Sequence, residues 1–550
     1  MAQQPLLASI ALPQLAAWPA LAWTVAALFA VWFAKSYYLP WFKTWLALKP
    51  VPGPWDWIPF WYLASVYWAR RKQLNEDNFT AAVFSAVGDL CKAYEGKTLK
   101  GYLFLTPIVG IHTPEAAQAL LMGKVKSDKP VLYRFLKPWL GHKSLLMIGG
   151  DAWKTKRRIF MQAFHASAMD GYLGFMQENA ECLVARVDQL LKESPGEPVV
   201  CLPNVQKCAL DIIGRFALGE ELGVQKEKHG NYGTYFHMLT VLISSRTFQP
   251  WNWLDTVYNI TPSGRLFQKT LRRIEAIVKG VMKNRKNVLQ KLHDETQDHE
   301  EQALPNSDGD GSLFLDSLLL AHIKNPSYTL DEARKDADFM MFAGSDSSSC
   351  AISWSLYLLG LHPEKQRKVQ QELDDVLGHD TDRFYTMDDL KRLEYMECCV
   401  KETLRLCPPF PFIGKVLDED LVIGSKPSLP FLPLSDGYTL PQGLSCFINI
   451  FSLHRNPNQF DKPEEYMPER FMSEENSRRH PYSYIPFSAG PKNCIGQKFV
   501  MMEVKVVLAK ILTKFTIEST RPLDEVEMTF EIVLKAKGGL PVWFRRREQL

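Results

Sequence analysis

A single cysteine near the C-terminal end of the chain lies in a loop whose composition suits chemistry at sulfur. Cys494 sits in FSAGPKNCIG (487–496), between Gly490 and Gly496, and the following residues QKFVMMEVKVVLAKIL predict a helix. The positive end of a helix dipole favours a thiolate, and glycines let backbone N–H groups approach the sulfur. A thiolate held in this way serves as a metal ligand, a nucleophile or a redox centre. A buried structural cysteine in a tight turn is the alternative.

The spacing F-x-x-G-x-x-x-C-x-G, from Phe487 to Gly496, is more specific than the cysteine alone. It resembles the haem-binding loop of the cytochrome P-450 superfamily, in which a Cys thiolate ligates the haem iron. The resemblance implies that Cys494 is the axial ligand of haem b and that Gly490 and Gly496 let the loop approach the flat cofactor. Other stretches, in the expected order and spacing, extend the resemblance over residues 50–545.

WKTKR (153–157) resembles the family's W-x-x-x-R helix. In that helix an indole N–H and a guanidinium bind a haem propionate through charge-assisted hydrogen bonds. The resemblance therefore implies that Trp153 and Arg157 hold the propionate. Lys492 stands where the family commonly carries a propionate-binding arginine, and lysine keeps the charge but loses the bidentate geometry.

AGSDSS (343–348) resembles the family's oxygen-activation motif, A/G-G-x-D/E-T-T/S. By that resemblance Ala343 and Gly344 open space beside the helix, Asp346 is the acid of a proton relay and Ser347 supplies its hydroxyl. Serine replaces the usual threonine, so the stiffening methyl group is lost and more uncoupled turnover is expected. A simple kink in the helix is the alternative interpretation.

KETLR (401–405) resembles the family's E-x-x-R motif, and PERF (468–471) resembles the segment whose arginine completes an ion network with that motif. The resemblance implies that Glu402, Arg405 and Arg470 form a buried network whose loss would unfold the haem pocket. The alternative is an ordinary surface pair at i and i+3, which contributes roughly a few tenths of a kcal/mol.

Details such as HRNP (454–457) and LDIIGRFALG (210–219) look most like family 4 of the superfamily. Its members typically hydroxylate fatty acids and related lipids at or near the chain end. Some of them esterify the haem through a glutamate directly before the motif glycine, and Ala343 occupies that position here. We therefore expect no covalent haem link and no strict selectivity for the terminal carbon. The stretch 424–443 is longer than the family pattern and has no assigned role.

The bulk composition and the N-terminal segment describe a large globular chain with an apolar end. Of the 550 residues 46% are hydrophobic, and a net charge of +3 gives no reason to expect a nucleic-acid partner. The ten cysteines show no zinc-finger spacing. No charged side chain occurs from Met1 to Ala34, and residues 12–34 are nearly all apolar, long enough to cross a bilayer core of about 30 Å.

Lys35, Lys43 and Lys49 follow the apolar segment and, by the positive-inside rule, predict a cytosolic catalytic part. The expected location is the endoplasmic reticulum membrane, crossed once. A cleaved signal peptide is the alternative, but the basic residue that should precede its apolar core is missing. The chain divides into three predicted parts: a membrane anchor (1–34), a basic, proline-rich linker (35–54) and a haem-thiolate catalytic domain (55–550).

Helical patterns dominate beyond the linker. They predict a mainly α fold with a small β region, the cytochrome P-450 fold behind an N-terminal transmembrane helix. Residues 105–121 predict a strand followed by a helix that Thr113 caps, and Thr329 with Glu332 predicts a capping box at the start of a helix running past Leu359. Other predicted elements are helices from Pro363 to Gly378 and from Thr386 to before Pro408, an exposed loop at 293–312, a strand at 515–519, and strands 528–535 and 541–547 joined as a hairpin by Gly538-Gly539.

Together these features predict a membrane-bound haem-thiolate monooxygenase that inserts one oxygen atom from O2 into a C–H bond of an apolar substrate, a fatty acid or related lipid. Electrons come from NADPH only indirectly, through NADPH–cytochrome P-450 reductase, with cytochrome b5 as a further candidate partner. A steroid, terpenoid or xenobiotic hydroxylase is the alternative. Two further alternatives are an O2-independent hydroperoxide isomerase or dehydratase of the same fold, and a non-catalytic haem or lipid carrier.

Basic residues around the W-x-x-x-R helix predict a docking surface for the reductase. Lys154, Lys156 and Arg158 share the helix with Arg157, and Lys498 follows the cysteine loop. An acidic flavin domain would associate faster with such a strip. An ordinary solvated face is the alternative.

Overall fold

The computed structural model describes the chain in twelve ranges. No helix of these ranges is long and apolar enough to cross a membrane. Most of the predicted anchor lies outside them, as do residues 297–312 of the predicted loop and residues 425–436 of the long insertion. The described ranges are 23–28, 30–32, 34–53, 79–94, 96–103, 106–123, 129–226, 231–296, 313–378, 383–424, 437–472 and 478–547.

Helices make up most of the described chain, as the sequence predicts, and short 3-10 turns connect several of them. The α-helices are α1 (Leu39–Ala47), α2 (Phe79–Ala93), α3 (Pro114–Met122), α4 (Lys137–Leu140), α5 (Gly150–Met161), α6 (Ala166–Glu193), α7 (Cys201–Leu218), α8 (Tyr232–Thr247), α9 (Asp255–Ile260), α10 (Pro262–Thr296), α11 (Leu313–Lys324), α12 (Leu330–Leu361), α13 (Pro363–Leu377), α14 (Met387–Arg392), α15 (Glu394–Leu406), α16 (Ile450–Leu453) and α17 (Gln497–Lys514). A π-helix covers Ala34–Tyr38, and 3-10 turns cover Val131–Leu136, Gln162–Phe164, Pro250–Asn252, Pro468–Phe471 and Leu523–Glu525.

Four small sheets complete the described fold. The largest has the order β1-β2-β7-β4, with β2 and β7 parallel and its other neighbours antiparallel. The remaining sheets are β3-β11-β8, β9-β10 and β5-β6, all antiparallel. The strands are β1 (Leu99–Leu103), β2 (Thr106–Ile111), β3 (Val199–Val200), β4 (Phe412–Val416), β5 (Leu421–Ile423), β6 (Tyr438–Leu440), β7 (Ser445–Asn449), β8 (Phe515–Ser519), β9 (Met528–Glu531), β10 (Val533–Ala536) and β11 (Pro541–Arg546).

Local capping signals place several helix ends where the sequence predicts them. The Thr113 side chain accepts the N–H of Ala116 at 3.4 Å, which starts α3 directly after β2. Thr329 accepts the N–H of Glu332 at 3.1 Å and starts α12. Helix α13 ends before Gly378, whose φ of +66° is easily adopted only by glycine. These three helix ends lie where they were predicted, but Thr329 caps α12 without the predicted capping box, because the Glu332 carboxylate pairs with Lys143 and Lys156 instead.

The prediction of one strand over 528–535 is wrong. The segment folds back on itself as the hairpin β9-β10, and Ile532 between the strands has a φ of +69°. An apolar β-branched residue is unfavourable in that conformation, so no turn signal marks the position. The predicted hairpin across Gly538-Gly539 is also wrong, because β11 pairs with β8 and β3 instead.

The single helix predicted from Thr386 is in fact two helices. Leu393, with φ −78° and ψ 68°, interrupts the helical backbone between α14 and α15. The Glu372 carboxylate of α13 accepts the N–H groups of Tyr395 and Met396 at 2.6 and 2.9 Å. These hydrogen bonds satisfy N–H groups in the first turn of α15 that a continuous helix would have used internally.

Helix α12 crosses the main core and packs against α7, α15 and α17. Most of its side chains are buried, which fits its length and its position between other helices. A second core cluster lies at the four-stranded sheet, where Val109 and Ile111 pack with Leu48 and Val51 from the predicted linker. The end of α1 is therefore attached to the sheet, and Lys100 of β1 also donates to the Leu48 carbonyl at 3.3 Å.

Candidate active site

A cavity of about 630 Å³ lies between α12, the cysteine loop, α5 and the four-stranded sheet. Its wall is mainly apolar, with side chains from α2, α8 and α12. A cavity of this size and character suits a hydrophobic small molecule or cofactor. Nine of the residues predicted from the sequence as site residues line it: Trp153, Arg157, Gly344, Ser347, Phe487, Lys492, Cys494 and Gly496, together with Ala343.

The Cys494 loop turns its sulfur toward this cavity, just before α17 begins. The backbone N–H of Cys494 donates to the Phe487 carbonyl at 2.9 Å, which closes the loop. Burial among protein atoms raises the pKa of the Cys494 thiol, while the N–H groups of Gly496 and Gln497 and the charge of Arg157 act to lower it. These donors and the helix dipole stabilise the thiolate when the sulfur ligates a cation.

Glycine is present at the two loop positions for different structural reasons. Gly490 has a φ of +74°, and a Cβ on it would lie 2.9 Å from the Leu121 carbonyl oxygen. Gly496 has ordinary backbone angles, and a Cβ there would lie 4.0 Å from the Cys494 sulfur. Gly490 is therefore required by the fold of the loop, whereas Gly496 keeps the surroundings of the sulfur open.

Trp153, Arg157 and Lys492 form one cationic edge of the cavity. The Arg157 guanidinium lies 5.3 Å from the Trp153 ring centroid and donates to both oxygens of Asn493, at 2.9 and 2.7 Å. Lys492 lies 5.7 Å from the same ring and donates to the Ile148 carbonyl at 2.9 Å. Burial lowers the pKa of Arg157. Two cations beside an indole fit the carboxylates of a flat porphyrin.

The AGSDSS segment of α12 places Ser347 and Asp346 in different surroundings. The Ser347 hydroxyl lies at the cavity wall and donates to the Ala343 carbonyl at 2.7 Å. Asp346 is buried against α7, where one carboxylate oxygen accepts from Gln206 at 2.5 Å. Its other oxygen is buried without a hydrogen-bond partner among the described residues. The helix assignment is continuous through this segment, and the hydroxyls of Ser345, Ser347 and Ser348 each donate to the carbonyl four residues earlier.

Gly344 of α12 packs against Ile213 of α7. A Cβ on Gly344 would lie 2.4 Å from Cδ1 and 2.5 Å from Cγ1 of Ile213. Real Cβ atoms essentially never approach another atom so closely. The missing side chain is therefore needed for helix packing, in addition to lining the cavity.

Glu402, Arg405 and Arg470 lie in one buried network behind the cysteine loop. Arg405 donates to both Glu402 oxygens at 2.8 Å, and Arg470 donates to one of them at 3.1 Å. Neither Glu402 nor Arg405 has any exposed side-chain surface. Arg405 also donates to the carbonyls of His454 and Pro463, which ties the network to the segment before the cysteine loop. The pair is not an ordinary surface ion pair.

The predicted basic strip on α5 is wrong at Lys156. Its ammonium is buried and lies 2.7 Å from Asp336 and 3.3 Å from Glu332 on α12. Residues two apart on a helix point to nearly opposite sides, whereas residues four apart share a face. Lys154 and Arg158, four apart, are accordingly both exposed. Lys498, in the first turn of α17, is exposed as well.

Two ionisable residues near the cavity were not predicted, the buried Glu503 and the half-buried Lys129. Glu503 of α17 is fully buried, and its carboxyl accepts the hydroxyl of Ser348 at 3.0 Å. Burial raises the pKa of Glu503 to about 8. The sequence offers one signal for Glu503, which is the single acidic residue of α17 and has mostly apolar neighbours. Lys129 lines the cavity near Gly414, and nothing in its local sequence points to that position.

Comparison with known proteins gives a consistent result over nearly the whole chain. The family model described as Cytochrome P450 matches residues 54–541. Cytochrome P450 4V2 of Homo sapiens is 36% identical over 450 residues, covering 82% of each chain, and its Mus musculus counterpart is 35% identical over 452 residues with the same coverage. Cytochrome P450 4F8 of Homo sapiens is 34% identical over 80% of this chain and 81% of its own length.

Proposed function

The chain belongs to the cytochrome P450 family, and from that premise we propose that it hydroxylates fatty acids or related lipids, at or near the chain end, while attached to a membrane. Its activity is that of a P450 monooxygenase, its cofactor is haem with a thiolate ligand, and its electrons come from a reductase. The observation that carries the lipid proposal is the mainly apolar cavity beside Cys494. The similarity to family 4 relatives supports the same substrate class.

We assign the residues around the cavity to three tasks. Cys494 would ligate the haem iron, and bound haem would supply oxygen activation, which electron density from the thiolate would assist. Trp153, Arg157 and Lys492 bind the propionates, since they form the cationic edge of the cavity. Because Ala343 cannot form an ester, the haem is held without a covalent link.

Proton delivery is assigned to α12. The Ser347 hydroxyl lies at the cavity wall, where it can pass a proton to a ligand. Asp346 is the nearby acid, and its unpartnered oxygen is available for a water-mediated contact. An intact acid and hydroxyl favour a monooxygenase over an O2-independent isomerase, which has little use for a proton relay.

Substrate binding is assigned to the apolar wall of the same cavity. Phe84 and Leu90 of α2, Phe248 after α8, and Phe339 and Phe342 of α12 present rings or branched carbons to it. Such a surface binds an acyl chain by excluding water and gives little directional selectivity. This is consistent with hydroxylation near the chain end without strict selectivity for the last carbon.

Membrane attachment is supported by two exposed apolar groups of residues. In the N-terminal segment Trp23, Leu28 and Trp32 are 76%, 65% and 52% exposed. Around α9 the side chains of Trp251, Leu254 and Ile260 are 68%, 64% and 69% exposed. Large apolar side chains grouped on a surface indicate an interaction site, and a lipid surface fits both groups.

The exposed segment around α9 is held firmly from its inner side. Arg246 of α8 donates to the Asn252 carbonyl at 2.8 Å and to the Asp255 carboxylate at 2.5 Å. Its guanidinium also lies 4.1 Å from the Tyr258 ring centroid. The apolar side chains are therefore presented by an ordered segment, which favours a defined contact with a membrane. The proposed membrane is that of the endoplasmic reticulum, crossed once by the N-terminal segment, with the catalytic domain in the cytosol.

The electron donor is proposed to be NADPH–cytochrome P-450 reductase, with cytochrome b5 as a second partner. Lys154, Arg158 and Lys498 supply exposed positive charge near the cysteine loop, because Arg157 of the same helix is bonded to Asn493 in that loop. An acidic flavin domain would be attracted to this surface.

A binding and turnover screen over lipid classes tests the proposal. Fatty acids, sterols, terpenoids and foreign aromatic compounds are titrated into the purified holoenzyme while the Soret band is followed for the low-to-high-spin shift. Reconstitution with reductase and NADPH then identifies products by mass spectrometry. We expect the spin shift and hydroxylated products with fatty acids. Preferential shift and product with another class would refute the substrate assignment, and turnover of lipid hydroperoxides without reductase would refute the monooxygenase cycle.

A further inference from the structure

Lys129 places a further positive charge in the cavity wall, close enough to Lys492 for the two charges to repel each other. It precedes the 3-10 turn Val131–Leu136, is half-buried and lines the cavity. Its ammonium donates to the Gly414 carbonyl of β4 at 3.3 Å and lies 5.1 Å from the Tyr133 ring centroid. In the described part of the chain no carboxylate forms an ion pair with it.

The contacts around Lys129 form a built site. The Gly414 N–H donates to the Tyr133 hydroxyl at 3.1 Å, so ring, strand and lysine are linked to one another. A Cβ on Gly414 would lie 2.7 Å from Pro130 and 2.9 Å from Phe447, so only glycine allows the loop to approach the strand this closely. An ammonium has three N–H donors, and the Gly414 carbonyl uses one.

The charges around Lys129 are also positive. Burial lowers the pKa of Lys129 to about 8, and Lys492 and Lys415 contribute by repulsion. Arg157 lines the same cavity, and no Asp or Glu is among the described residues that line it. A buried cation is costly unless an anion lies against it, so this part of the cavity is matched to a negatively charged ligand.

We propose that Lys129 binds a carboxylate group inside the cavity. The ligand is a carboxylate on a hydrophobic molecule, because the rest of the wall is mainly apolar. Two sources have this chemistry. One is a propionate of the haem, which would make Lys129 a cofactor-binding residue in addition to Trp153, Arg157 and Lys492. The other is the carboxylate of an acyl substrate, and only this source rests on the proposed lipid function.

The test compares Lys129→Met with two other variants of the holoenzyme. Lys129→Arg keeps the charge, and Lys143→Met removes an exposed lysine that is 70% accessible and lies outside the cavity wall. The first arm measures the rate of haem transfer to excess apomyoglobin. The second arm measures the dissociation constants of a long-chain fatty acid and its methyl ester from the Soret spin shift.

If Lys129 holds a propionate, Lys129→Met loses haem about tenfold faster or more, since a charge-assisted hydrogen bond is removed. Acid and ester binding then change equally. If Lys129 holds the substrate carboxylate, haem release is unchanged and only the acid binds about tenfold more weakly. In either case Lys129→Arg restores most of the loss and Lys143→Met behaves like the wild type.

The proposal is overturned if Lys129→Met equals the wild type in both arms, or if Lys129→Arg is as defective as Lys129→Met. Should Lys129→Met not accumulate as folded protein, Lys129→Gln, which retains a hydrogen-bond donor without charge, replaces it in the same comparison. If no lipid of any class shifts the Soret band, the lipid function fails while the haem-transfer arm still decides whether Lys129 binds a propionate.

Discussion

Replacing Gly344 by alanine tests whether this residue is required for helix packing. The new Cβ would lie 2.4 and 2.5 Å from Cδ1 and Cγ1 of Ile213. Ile213 is buried in α7, and a β-branched side chain in a helix has one strongly preferred rotamer, so it cannot move aside cheaply. Overpacking of this kind costs about 1–3 kcal/mol. Alanine gains about 0.5–1 kcal/mol over glycine in a helix, so we expect a net destabilisation of up to about 2.5 kcal/mol.

The measurement is the free energy of unfolding of the holoenzyme in urea, followed by circular dichroism and by the thiolate-type spectrum of the reduced carbon monoxide complex. Gly280→Ala in α10 is the matched control, since nothing lies within 4 Å of a Cβ built there. We expect that control to be stabilising by about 0.5–1 kcal/mol.

A double mutant isolates the contact itself. Ile213→Ala alone should cost about 2–5 kcal/mol, because it opens a space in the core. It leaves the Ile213 position with only a Cβ, 3.4 Å from the new methyl group of Gly344→Ala. In that background Gly344→Ala should be neutral or stabilising, which corresponds to a coupling energy of about 1–3 kcal/mol. Additive effects of the two substitutions would refute the packing explanation.

Three further predictions concern charged groups. Lys154→Glu with Arg158→Glu should slow reductase-driven turnover, most at low ionic strength where screening is weak, and leave peroxide-driven turnover nearly unchanged. Lys156→Met should lower the free energy of unfolding by about 3–5 kcal/mol, because it leaves the Asp336 carboxyl buried without its cation. Glu503→Gln should change how the free energy of unfolding depends on pH. The affected range runs from about pH 4.5, the ordinary pKa of a Glu carboxyl, to about pH 8, the raised pKa of Glu503. The folded state binds the extra proton there, so stability falls as pH rises through that window, and the variant should lack this fall in urea unfolding.

Each of these predictions has its own contradicting result. If reductase-driven and peroxide-driven turnover fall together in the Lys154 and Arg158 variant, the surface supports folding or haem binding rather than docking. If Lys156→Met is as stable as the wild type but its reductase-driven turnover is slower, Lys156 belongs to the docking surface after all. An unchanged pH dependence of unfolding in Glu503→Gln would show that another buried group carries the protons.

Helix ends could be predicted because their signals are local. Thr113 and Thr329 each bond to an N–H three residues later, so the relevant chemistry lies within four consecutive positions. The turn at Ile532 could not be predicted, since its positive φ is imposed by the pairing of β9 with β10 rather than by a turn residue. The break at Leu393 likewise depends on Glu372, which lies on another helix.

Motif spacing located the residues around the cavity but not their orientations. Lys156 lies between two exposed basic positions in the sequence, and only its contacts with α12 explain why it is buried. Lys129 and Gly414 are 285 residues apart, so no local pattern relates them. Recognising either position requires the packing of distant segments.

The sequence motif and the packing of the fold each give a reason for the glycine at position 344. The oxygen-activation motif assigns its missing side chain to space for the cofactor's chemistry, whereas the structure also requires it for the contact with Ile213. A single substitution therefore affects packing and chemistry at once. In the Ile213→Ala background the steric cost is removed, so any remaining loss of coupling between NADPH consumption and product formation in Gly344→Ala reports on the cavity alone. If NADPH consumption stays normally coupled to product formation in this double variant, Gly344 is required for helix packing alone.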